Sequence, residues 1–192
     1  MSTLYQREYQ QIPFSKNKQE HILNAILIKS YMKAIDETVT LTSEEERVLH
    51  DYLFSVEIWG LYELSFFSSC SPLLSVQLLT KYTREMLRKS DFLQGVGKNR
   101  NMMHTLLLNG FMACIEVDDF TNALYFKKQI EKNFFEENET YFRIVYLWAE
   151  GLLDSKQGRA ESGQRKMEDA VRIFEIIGCS KSADYYRSVI EC

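Results

Sequence analysis

The feature that most constrains this chain is the stretch from Asn101 to Asn133, where two helical patterns of unlike character meet at the acidic turn Val117-Asp118-Asp119. The first pattern, Asn101 to Glu116, is apolar nearly all round: Met102, Met103, Leu106, Leu107, Leu108, Phe111, Met112, Cys114 and Ile115. A helix of that kind must be covered on more than one side. The second, Asp119 to Asn133, is one-sided. Phe120, Ala123, Leu124 and Ile130 form its apolar stripe with Lys127 at the rim, while Lys128, Glu131 and Lys132 point to water. A doubly covered helix followed by an amphipathic one is the unit of an α-solenoid, an inner layer and then an outer one.

The rest of the chain agrees. Only two prolines and eight glycines interrupt it, and no run of alternating β-branched residues suggests a strand. Met1 to Ser15 is aperiodic and reads as a linker or the stump of a missing N-terminal region, with residues 16–192 as one helical array. An amphipathic helix is expected over Lys18–Asp36, with Ile22, Leu23, Ile26, Leu27 and Ile35 as its stripe. Thr42-Ser43-Glu44-Glu45-Glu46 opens the next helix, since acids suit the positive end of the helix dipole. It is expected to continue to Phe67 with a kink near Gly60. Pro72 then belongs to the first turn of a helix reaching about Ser90. Beyond the central pair, a third apolar helix runs from Asn138 or Thr140 to near Gly158. Its partner runs from Ala160 to Ile177, with Met167, Ala170, Val171, Phe174 and Ile177 inward, and Gly178 ends it. A short helix, Ser180 to Glu191, closes the array. Phe120-x-x-Ala123-Leu124 lines up with Met167-x-x-Ala170-Val171, so the chain is internally repetitive, with units longer than the ~34 residues of a tetratricopeptide. The expected fold is all-α: a tetratricopeptide-like helical-repeat array of about four helix pairs, capping helices included.

Several function classes are excluded or disfavoured. The net charge is −4 and the basic residues are scattered, whereas nucleic-acid binding needs a concentrated basic face. The four cysteines, Cys70, Cys114, Cys179 and Cys192, show no CxxC spacing, which points to a reducing compartment. No apolar run approaches the ~18 residues of a membrane span and no signal-peptide core is present, so a cytoplasmic protein without membrane contact is expected. Gly95-Val96-Gly97-Lys98 lacks the flanking glycine and hydroxyl of a phosphate loop. His21, His50 and His104 form no metal-ligand pair, and no nucleophile elbow occurs. The chain reads as a non-enzyme with no cofactor and no metal. The sequon Asn138-Glu139-Thr140 is idle in the cytoplasm.

In an array of this type one side of each inner helix faces a concave groove. On the second inner helix that stripe is Thr105, Leu108, Asn109, Met112 and Glu116. On the third it is Tyr141, Val145, Trp148, Leu152 and Ser155. A trough this apolar and aromatic suits a short extended apolar peptide, with the Asn109 amide both donating to and accepting from its backbone. The alternative is that Asn109 is a satisfied core amide or an inter-helix bond. His104 is either a polar contact at the groove rim or a packed core histidine.

Trp59-Gly60-Leu61-Tyr62-Glu63-Leu64 with Phe67, Leu106-Leu107-Leu108-Asn109 with Glu116 and Phe120, Tyr125-Phe126, and the series Gly151, Gly158, Gly163, Met167, Ala170, Phe174 together resemble the C-terminal regulatory domain of the Rgg/GadR/MutR family of transcriptional regulators. The resemblance covers almost everything beyond Ser15. It implies a helical-repeat domain that homodimerises and senses short re-imported signalling peptides, as in quorum sensing, with promoter DNA bound by an N-terminal helix-turn-helix. No helix-turn-helix stands before Tyr5, so DNA contact is expected only through a domain absent from this chain. By the same resemblance Asn109 falls where related sensors set an amide against the peptide backbone. The rival reading is a tetratricopeptide-like protein-protein interaction module that senses no peptide.

Overall fold

The structure, a computed structural model, describes residues 18–89, 97–133 and 136–190. All regular structure among them is helical: α1 (Lys18–Lys33), α2 (Ser43–Ser55), α3 (Leu61–Cys70), a 3-10 turn (Ser71–Leu73), α4 (Val76–Lys89), α5 (Gly97–Glu116), α6 (Phe120–Asn133), α7 (Thr140–Lys156), α8 (Ala160–Ile176) and α9 (Ser180–Ile190). The expected linker over Met1–Ser15 lies outside the described residues. The chain divides into two compact units, Met1–Leu106 and Leu107–Cys192, and the division falls within α5.

In the first unit α1 packs on α2, α3 and the 3-10 turn, and α2 packs on α4. The helix expected from Thr42 to Phe67 is in fact two. Val56 and Gly60 are extended, and Gly60 is the N-cap of α3, its N–H donating to the Glu63 carboxylate at 3.0 Å. The break turns Trp59 fully inward against Phe67, with ring centroids 5.6 Å apart. Lys89 of α4 caps the severed end, donating to the carbonyls of Phe54 at 3.0 Å and Val56 at 2.7 Å. Pro72 sits in the 3-10 turn rather than in the first turn of α4.

The start of α2 doubles as a clamp on α1. Thr42 and Glu45 form a capping box, and the same Glu45 carboxylate takes Lys29 of α1 at 2.5 Å. Both side chains are largely buried. Lys29 also donates to the Thr40 carbonyl at 3.2 Å.

In the second unit the C-terminal ends of α5, α7 and α8 are closed in the same way. Residues Asp118, Gly158 and Gly178 adopt positive φ, at 57°, 83° and 78°. After each, the next N–H reaches back to a carbonyl five residues earlier: Asp119 to Cys114, Arg159 to Asp154 and Cys179 to Phe174, all at 2.8 Å. These are Schellman closures, and glycine fits two of them without steric cost. Asp118 occupies the third and pairs with Lys156 at 3.3 Å. The closures fix the true repeat register. Phe120 corresponds to Ala160 and Ala123 to Gly163, so the alignment of Phe120 with Met167 slips by two helical turns. A two-turn slip keeps the same helix face, which is why the pattern of small and apolar residues concealed it.

Backbone crossings hold the pairs together. Phe126 of α6 lies over Gly110 of α5, where a Cβ would stand 3.0 Å or less from its ring atoms. Between α7 and α8 the approach is reciprocal. A Cβ on Gly151 would meet the Gly163 carbonyl oxygen at 2.6 Å, and a Cβ on Gly163 would meet that of Gly151 at 2.5 Å. Asp154, beside this crossing, is nearly buried and takes Arg159 at 2.6 Å, Lys166 at 2.9 Å and the Ser162 hydroxyl at 3.3 Å. Burial pushes its carboxyl upward, but the bonds and charges of Lys166 and Arg159 outweigh this and hold it at about 2, against an ordinary 3.8. Leu124 and Ile177, expected inward, are both about half exposed.

Gly163→Ala is expected to lower stability by about 1–3 kcal/mol, because the crossing must open to admit a methyl group against backbone atoms. The midpoint of urea unfolding reads this directly, and an unchanged midpoint would mean the helices part freely. The depressed pKa of Asp154 sets a second expectation. Its contribution is complete above its unfolded-state value and is lost as pH falls from 3.8 toward about 2. Asp154→Asn should flatten the acid limb of a thermal-stability profile over that window while lowering stability at neutral pH.

Candidate functional site

On α5 the residues Met103, His104, Leu106, Leu107, Leu108, Gly110, Phe111, Cys114 and Ile115 are buried. Accessible residues run along it as a stripe, Asn101, Thr105, Asn109, Met112 and Glu116, spaced four, four, three and four apart, with the partly exposed Met102 and Ala113 beside it. At 3.6 residues per turn the stripe residues lie on a single face. The stripe includes four of the five residues singled out on this helix, while Leu108 lies beneath it.

The polar groups on the stripe differ in their state. Thr105 spends its hydroxyl on the Asn101 carbonyl, 2.9 Å away within the helix. The half-buried Asn109 amide makes no hydrogen bond among the described residues. An amide carries two donors and an acceptor with two lone pairs, so Asn109 is an open polar site in an apolar setting. Met112, one turn on, supplies a flexible apolar surface that adapts to irregular partners.

The stripe expected on α7 is placed differently. Tyr141 is 48 % exposed and Leu152 half-buried, but Val145 and Trp148 are each 3 % exposed. The cover comes from the array's own last helices. The Trp148 ring lies 5.2 Å from that of Tyr186 on α9, Tyr186 stacks on Phe174 of α8 at 5.6 Å, and Tyr141 meets Phe174 at 5.6 Å. In the register set by the turns the counterpart of Asn109 is Ala149, which is fully buried. Of the stripe expected on α7, Tyr141, Leu152 and Ser155 keep accessible surface, at its two ends. The sequence signal that would have shown this is Tyr186, an aromatic residue spaced to reach back across α8.

His104 is fully buried and is a packed residue rather than a rim contact. On the neighbouring side of α7, Tyr146 touches Phe111 of α5 at 6.0 Å and donates to Glu131 of α6 at 2.9 Å, and Lys127 pairs with Glu150 at 2.5 Å. Burial, and then the bond to Glu131, push the Tyr146 phenol above its ordinary value. It stays protonated and ties α7 to α6. The Lys127–Glu150 pair is not legible in the sequence because it joins two successive helix pairs. Among the described residues no group of three metal-ligating side chains comes together, and no helix is long and apolar enough to cross a membrane.

The family model for the HTH-type transcriptional regulator Rgg, C-terminal domain, matches residues 4–188. Two solved structures of the Streptococcus dysgalactiae SHP pheromone receptor Rgg2 are similar throughout. One, a cysteine-to-serine variant, has a TM-score of 0.83 and 26 % identity over 99 % of this chain and 67 % of that one. The other has a TM-score of 0.76 and 25 % identity over 100 % of this chain and 77 % of that one. A candidate transcriptional regulator from Listeria monocytogenes EGD-e shares the fold, with a TM-score of 0.80 at 18 % identity over 99 % of this chain and 67 % of that one. With the match running over nearly all of its length, the chain belongs to the Rgg family of transcriptional regulators and carries that family's C-terminal domain.

Proposed function

We propose that this domain senses a short apolar peptide in the cytoplasm and, as a homodimer, passes that signal to DNA-binding domains joined to it in the full regulator. The observation that carries the reading is the open Asn109 amide on the accessible stripe of α5. A peptide laid along that stripe would give the amide a backbone carbonyl and N–H, while Met112 and the underlying Leu108 receive an apolar side chain. Tyr141 and Leu152 offer further contact at the ends of the α7 stripe, with Val145 and Trp148 forming its packed support. Thr105, one turn before Asn109 on the same helix, extends the face. The similarity to a receptor of the SHP pheromone supports a peptide as the ligand class. A peptide that binds one dimer arrangement better than another shifts the population toward it.

The rival, an interaction module without peptide sensing, draws on the closure of α7 by α9, which leaves a smaller open trough than the sequence suggests. The two readings separate in one experiment. A library of apolar octapeptides is screened by thermal shift, and the strongest binder is then titrated by calorimetry. Asn109→Ala should weaken its binding by about 1–3 kcal/mol, the cost of leaving backbone groups unpaired in a desolvated site, with the melting temperature of the free protein little changed. Equal affinity in the variant would remove Asn109 from the site, and a library with no binder would favour the interaction module.

A further inference from the structure

The open stripe of α5 carries a single charged side chain, and it stands at one end. Within the second unit the stripe residues are Asn109, Met112 and Glu116. Asn109 and Met112 are neutral. Glu116 is exposed, and its carboxylate has no ion pair and no hydrogen bond among the described residues.

The other charges at this turn are spent. Asp118 is held by Lys156 at 3.3 Å. Asp119 takes the Asn122 backbone N–H at 3.2 Å and its side-chain amide at 2.7 Å. Glu116 is thus a carboxylate without a counter-charge. It also sits at the carbonyl end of α5, where the helix dipole adds negative potential and favours a cation.

The spacing fits a peptide. Seven residues separate Asn109 from Glu116, which is two turns and roughly 10.5 Å along the axis. An extended chain advances about 3.3 Å per residue, so about three residues bridge the interval, with Met112 beneath them. A short apolar peptide has one obligatory positive group, its amino terminus, and one obligatory negative group, its carboxyl terminus. A lone carboxylate attracts the first and repels the second, so both effects favour the same direction. Charges of this kind set orientation and register more than raw affinity.

We propose that Glu116 receives the free amino terminus of the bound peptide and so fixes its direction. The peptide runs antiparallel to α5, its ammonium at Glu116 and about its fourth residue at the Asn109 amide. The inference rests on the peptide-sensing reading above and names the end of the peptide that is recognised.

The test is calorimetry at low ionic strength, where surface charges are least screened. The probes are octapeptides of leucine, isoleucine, valine and glycine, each made with a free and with an acetylated amino terminus. The wild type should bind the free form about threefold to fivefold more tightly, the range of an exposed ion pair. Glu116→Gln, at an exposed position, should melt like the wild type and bind the two forms alike. Adding two glycines before the first residue carries the amine about 7 Å further on and should also erase the difference. If acetylation leaves affinity unchanged or raises it while Asn109→Ala still weakens binding, the direction is overturned and the peptide site stands. A preference for the free amine that persists in Glu116→Gln overturns the role of Glu116. A library without a binder overturns the peptide site and this inference together.

Discussion

The packing of the second unit hangs on how closely the backbones of α7 and α8 approach at Gly151 and Gly163. Each glycine faces the other's carbonyl at a distance no Cβ tolerates. Because the helices meet there without side chains between them, Met167, Ala170 and Phe174 of α8 reach the core, and α9 follows close enough for Tyr186 to touch Trp148. Interiors are packed to crystal-like density, so a contact this tight sets the positions of its neighbours over several turns. The Asp154 ion cluster lies at the edge of the same crossing and joins α7 to the turn and first half of α8.

That packing also divides open from closed surface. On α5 an accessible line survives beside extensive buried surface, and the Asn109 amide lies on it. On α7 the middle of the corresponding line is covered, with Tyr186 of α9 lying against Trp148. Successive inner helices of one array thus differ in what they present: the earlier offers an amide and a thioether, the later an alanine and a covered indole.

Much of this could be read from the residues. The all-helical class follows from the scarcity of prolines and glycines and the absence of alternation, and the central pair follows from its switch between all-round and one-sided patterns. The accessible stripe of α5 follows from three-and-four spacing around one amide. The failures have common physical causes. The break at Trp59 was hidden because a helical pattern stays apolar through it. The repeat register was hidden because a two-turn slip preserves the face. The covering of Val145 and Trp148 was hidden because periodicity along one helix does not say which later helix lies on it. Leu124 and Ile177 sit at positions where the pattern is apolar but no neighbour arrives.

The two tryptophans fall one to each unit, Trp59 in the first and Trp148 in the second, and both indoles are almost wholly buried. The protein therefore contains two native optical probes that sample separate halves. Replacing either indole by phenylalanine leaves an emission signal from one half alone, and comparing the two signals during denaturation tells whether the halves lose order together or in sequence.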